Sequence, residues 1–136
     1  MRAQKVIGTV AVLIALLSLL VVPAHAATID CSLMHWPTKI GTGLLWEYWG
    51  NASASCSATT NMTVRVRLVI SDGNPATGTQ VDASSNTCYD IGCSVQTPIH
   101  LAPAGNWVHT QGALTWLDSD GTLKDISTGN YNCIQL

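Results

Sequence analysis

The sequence has no phenylalanine, one glutamate (Glu47), and charged side chains at only 10 % of its 136 positions. Soluble domains usually carry about 25 %. These shortages exclude several functions. With six basic against eight acidic residues the chain is sparsely charged and mildly acidic, so it carries no electrostatic footprint for a phosphate backbone and nucleic acid is not an expected partner. No basic amphipathic stretch addresses a membrane surface. There is no C-x2-C and no pair of histidines at ligand spacing, so neither a zinc site nor any other cofactor is expected. G-x-S-x-G and H-E-x-x-H are both absent. A glycosidase needs two carboxylates across a cleft. Glu47 with Asp30 or Asp82 are the only nominees, and most aspartates here sit in turns. His35, His100 and His109 remain as general bases, each without a local motif that supplies a partner. The expectation is a protein with no catalytic residues.

Helical periodicity is also missing beyond the first stretch. That stretch has three parts. Arg2 and Lys5 are positive, Val10 to Val22 is apolar except for Ser18, and Ala24-His25-Ala26 is a small-x-small site after Pro23. This is the layout of a secretory signal peptide, and its apolar run falls short of the ~20 residues that span a bilayer. The expectation is a cleaved signal helix, 1–26, followed by one secreted, extracellular domain, 27–136, with no membrane span after cleavage. That domain has four basic residues (Lys39, Arg65, Arg67, Lys124) against eight acidic ones, so it is mildly acidic.

Cysteine is what the domain does have. Cys31, Cys56, Cys88, Cys93 and Cys133 all fall within it. In an exported chain they are read as disulfides. One map pairs Cys31 with Cys56 and closes Cys88-Tyr-Asp-Ile-Gly-Cys93 on itself, leaving Cys133 as a free thiol or a link to a second chain. Another pairs Cys88 with Cys133 and leaves Cys93 over. An odd count allows a dimer through the unpaired residue.

Period-two alternation dominates the rest. In MTVRVRLVIS, 62–71, the residues Met62, Val64, Val66, Leu68 and Ile70 point one way. Arg65 and Arg67 point the other, either to solubilise an exposed face or to contact an acidic partner. SDGNPATG supplies a turn. In CSVQTPIHL the face is Cys93, Val95, Thr97, Ile99 and Leu101, with His100 outward and Pro98 assigning the strand to an edge. In NWVHTQGALTWL, Val108, Thr110, Leu114 and Trp116 share a face, His109 lies with Trp107 and Gln111 on the other, and Gly112 suggests a bulge. Asp118-Ser-Asp-Gly121 reads as a hairpin turn, with TLKDI and YNCIQL after it. Short strands without covering helices imply an all-β fold, an antiparallel Ig-like β-sandwich stapled by disulfides.

GLLWEYWGN, 43–51, divides by the same rule. Glu47 is costly to bury unpaired, so Glu47 and Trp49 belong on the wet side and Trp46 in the core. Trp49, Glu47, Trp107 and His109 form the candidate binding surface, since tryptophan offers a large apolar face and one donor.

Cys56 before the alternating strand, Thr87-Cys88, Cys93-Ser94, Pro-Ala-Gly-x-Trp at 103–107 and Asp120-Gly121 resemble the uncharacterised small secreted β-sandwich proteins of actinobacteria. Trp46-Glu47-Tyr48 between Cys31 and Cys56 more weakly resembles tendamistat-type α-amylase inhibitors. That likeness implies an exposed Trp-Arg-Tyr triplet, but Glu47 here replaces its arginine. The expected function is a non-catalytic binding or accessory module for an unknown extracellular protein or carbohydrate. The alternatives are an inhibitor of a secreted hydrolase such as α-amylase, and a small hydrolase.

Overall fold

The computed structural model describes residues 26–72 and 77–136, without the side chains of 130 and 131. The expected signal helix and the Asn-Pro pair of the 71–78 turn therefore lie outside the described residues. Six strands follow in order: β1 (Cys31–Ile40), β2 (Leu45–Ser71), β3 (Thr79–Gln96), β4 (His100–Pro103), β5 (Trp107–Leu117) and β6 (Leu123–Gln135). All pairings are antiparallel. Among the described residues there is no α-helix, and none long and apolar enough to cross a membrane.

The organising element is β2. Its first half pairs with β1 on one side and with β4 and the end of β3 on the other. Its second half, from Thr60, pairs with the start of β3 and with β5, which in turn pairs with β6. Between the halves the β2–β3 register shifts, and Ser57 to Thr59 have no partner there. The strand bends at this point and folds the sheet on itself, giving two layers. Close cross-layer contact proves the folding. A Cβ built on Gly50, in the first half, would lie 3.0 Å from Thr110 and 3.3 Å from Val66. The antiparallel β-sandwich expected from the alternation is therefore present.

Inward residues of β2 and β5 fill the space between the layers. Met62, Val64, Val66, Cys56, Ala52, Ala54, Leu114 and Trp116 form the larger core cluster. Tyr48, Leu68, Ala102, Val108 and Leu136 form the second, with Trp46 packed against it. The small inward residues Gly50, Ala52 and Ala54 let the first layer approach the larger Val64 and Val66 of the second.

Both disulfides sit beside the bend. Cys31–Cys56 joins β1 to the end of β2's first half, and Cys88–Cys93 flanks the corresponding irregularity in β3. Cys133 is free. Two such bonds fit an oxidising setting. The bend is further tied down by Asp30, whose carbonyl accepts from the Ser57 amide at 2.8 Å. Next to it, Asp118 accepts from the Ile29 amide at 2.8 Å, and the Trp116 Nε1–H donates to the Ile29 carbonyl at 3.0 Å.

Two sequence expectations are corrected here. Past Thr97 the predicted face does not continue. Pro98 ends β3 at Gln96, β4 begins at His100 in the opposite phase, and Ala102 is buried while Ile99 and Leu101 are exposed. A proline has no N–H for the ladder, so the chain leaves the sheet and re-enters out of step. Gly112 is also not a bulge, since the irregularities lie opposite β5, in β6. It is glycine because the His35 ring lies against it. A Cβ there would fall 2.8 Å from His35 Cδ2.

Candidate functional site

The outer face of the first layer is unusually apolar for a surface. On β1, alternate residues Met34, Trp36 and Ile40 point out, with Met34 68 % exposed. On the neighbouring half of β2, Leu45, Glu47 and Trp49 do the same, and Leu101 of β4 adjoins them at 62 %. The register places these side chains in rows. Glu47 lies between Ile40 of β1 and Leu101 of β4, and Trp49 lies opposite Thr38. Trp49 is half-buried and Trp36 is 40 % exposed. The single glutamate of the chain thus stands amid exposed aliphatic side chains.

The predicted surface is not brought together as one patch. Glu47 and Trp49 are on this face. Trp107 and His109 are on β5, in the other layer. Trp107 is half-buried, and His109 is only 1 % exposed, which corrects its assignment to a wet face. Its phase along the strand is outward as expected, but neighbouring groups cover it. Its Nε2 shares a hydrogen bond with the Ser71 hydroxyl at 2.8 Å, and its Nδ1 contacts Cys133 Sγ. Burial holds the His109 imidazole below the usual histidine range and pushes the Cys133 thiol up. Both groups are thereby biased to their neutral forms. The contact arises because β6 carries an extra residue between its pairings with Val108 and Thr110, and Asn132 there adopts φ 64°. Asparagine tolerates that left-handed conformation, and its amide donates to the His35 carbonyl at 2.7 Å. No spacing in the sequence reveals this cysteine–histidine pair.

The other two histidines are structural. His35 is buried, with Nδ1 bonded to Thr110 at 2.8 Å and Nε2 to Thr128, and burial lowers its pKa. His100, expected outward, is turned in by the phase change at Pro98. It pairs with Asp82 at 2.8 Å and touches the Tyr48 ring. That histidine, first among several causes, holds the Asp82 carboxyl below its ordinary range.

The described residues contain no group of three or more His, Cys, Asp or Glu side chains arranged to hold a metal. Nor is the Trp46-Glu47-Tyr48 triplet displayed as a unit: Glu47 is exposed, Trp46 half-buried beneath Lys39, and Tyr48 3 % exposed.

No family model and no curated protein matches the chain. Among solved structures, a Bordetella pertussis protein provisionally named ApaA is similar with a TM-score of 0.48 and 9 % identity, covering 79 % of this chain and 93 % of that one. A likeness so distant supports no statement about function.

Proposed function

We propose that this chain is a secreted, non-catalytic module that binds another extracellular protein through the outer face of its first layer. The single observation behind this reading is the run of exposed Met34, Trp36, Ile40, Leu45 and Leu101 around Glu47 and Trp49. Contiguous exposed apolar area on a soluble protein marks an interaction surface. Its aliphatic content favours a protein partner over a sugar, whose platforms are flat aromatic rings flanked by polar groups. Glu47 at the centre selects for a partner cation at the matching point.

The test uses a photo-crosslinking residue at position 36 or 40, mixed with extracellular proteins of the source organism. The same adduct from both positions, and none from the exposed position 123 in the other layer, supports the reading. Trp36→Ala and Trp49→Ala are expected to weaken that interaction by about tenfold or more each, as for interfacial anchors, with the melting temperature nearly unchanged. A large loss of stability instead makes these rings packing residues and removes the proposal. An inhibitor of a secreted hydrolase is one form of this reading, and α-amylase activity unaffected at micromolar protein eliminates that form. The hydrolase alternative has one feature in its favour, the Cys133–His109–Ser71 chain. The neutral bias of both Cys133 and His109 weighs against an activated thiolate. Alkylation of Cys133 faster than that of a free reference thiol would reverse this judgement.

A further inference from the structure

The outer face of the second layer carries a hollow of a different character. It has a volume of about 230 Å³ and lies over the middle of β5. The small Ala113 side chain, outward on β5, leaves it open, and Gln111 of the same strand also lines it, opposite Arg67. Gly112 and Ala113 form the floor, while Arg65 and Arg67 of β2 rise on one side and Ser127 and Thr128 of β6 on the other. The small floor between two taller walls leaves the depression.

The two arginines stand at i and i+2 on one strand, on the same face and roughly 7 Å apart along it. Both are exposed, and neither has an ion-pair partner among the described residues. They are half of the basic residues of the domain beyond position 26, placed side by side on an otherwise acidic chain. Across the register Arg65 faces Ala113 and then Ser127, so no carboxylate stands in its row. The adjacent outward row runs through Thr87, Thr63 and Thr115 and ends on β6 at the exposed carboxylate Asp125, two residues from Ser127. Thr63 and Thr87 are bonded to one another at 2.9 Å in that row, and Ser85 faces Arg65 from β3.

We propose that this hollow binds a carboxylate-bearing sugar unit of an extracellular acidic polysaccharide. Each guanidinium presents a planar fork that matches a carboxylate with two parallel hydrogen bonds. The volume is below that of pockets for drug-sized ligands, so it suits a single sugar ring rather than a long side-chain cluster. The Ser127 hydroxyl on the β6 wall can bond a sugar hydroxyl, whereas an acidic peptide would look for apolar pockets or would add to a strand edge; the hollow has no such pocket, and its two arginines rise from β2, well inside the free edge of β6. The site is in the layer opposite the apolar face and stands independently of it.

The experiment titrates trigalacturonate into the intact secreted domain, followed by amide chemical shifts. Shifts centred on Gly112, Ala113 and Ser127 are expected, with the neutral trigalactose giving none. Arg65→Ala and Arg67→Ala should each weaken binding by about tenfold, and Arg67→Lys should also weaken it, since lysine keeps the charge but not the fork. Added salt should weaken it as well, with no mutation involved. Both arginines are exposed, so the melting temperature of the variants is expected to hold. No shifts with trigalacturonate, or equal binding by the doubly substituted protein, would overturn the proposal. Triglutamate binding as tightly as trigalacturonate would overturn its saccharide part and leave only an acidic-peptide site.

Discussion

His35 shows how one side chain can be legible as a residue and illegible as a role. In the sequence it is a candidate base. In the fold both of its ring nitrogens are occupied by threonine hydroxyls and its ring is buried. Burial disfavours the charged form, so its pKa in the folded chain is lowered, and that of His109 likewise. The unfolded chain therefore binds these protons more readily than the folded one. Stability from the two sites is complete above the ordinary histidine value of about 6.5 and is lost as pH falls below it. Thermal melts from pH 8 down to pH 5 are expected to show a falling midpoint whose onset lies near that value (about 6.5). Replacing His109 by Gln should shrink the slope. A midpoint flat over this range would contradict the assigned burial.

At the scale of elements, β5 offers the sharpest test. Gly112→Ala would put a methyl carbon 2.8 Å from the His35 ring, which is held on both nitrogens and is not free to yield. Overpacking of this kind costs about 1–3 kcal/mol, and urea unfolding should register it. If Gly112 were merely a turn or bulge residue the loss would be far smaller. Much of the strand content was legible. The alternation in 62–68 names the buried face of β2, and Val108, Thr110, Leu114 and Trp116 are all inside as their spacing implied. What was not legible depended on distant chain. The phase change after Pro98 is a local signal whose direction only the sheet decides. The burial of His109 requires cover from Ser71 and Cys133, neither of which its own strand announces. The same holds for the binding surface. Glu47 and Trp49 were placed outward by alternation alone, but their companions Met34, Trp36, Ile40 and Leu101 join them only through pairing with β1 and β4.

For the whole molecule, stability rests on a core of mostly small and medium side chains, completed by two cross-links. The Cys31–Cys56 loop spans a separation of 25 residues and the Cys88–Cys93 loop only 5. By loop-closure entropy the first is expected to contribute about 3.5 kcal/mol and the second about 2. Paired serine substitutions at each bridge, compared by urea denaturation, should therefore rank Cys31/Cys56 as the more damaging. The reverse ranking would mean that the short bridge acts through the native state at the bend instead.

The passage of β2 from one layer to the other at Ser57–Thr59 also has a topological cost. Both ends of the long bridge lie before that segment, and both ends of the short one lie after it. Neither covalent loop encloses it. A protease that reaches the exposed 57–59 peptide would cut the molecule into an N-terminal and a C-terminal piece with no sulfur link between them. Such a nicked protein would stay associated by strand pairing in native buffer and fall apart into two bands on a denaturing gel run without reductant.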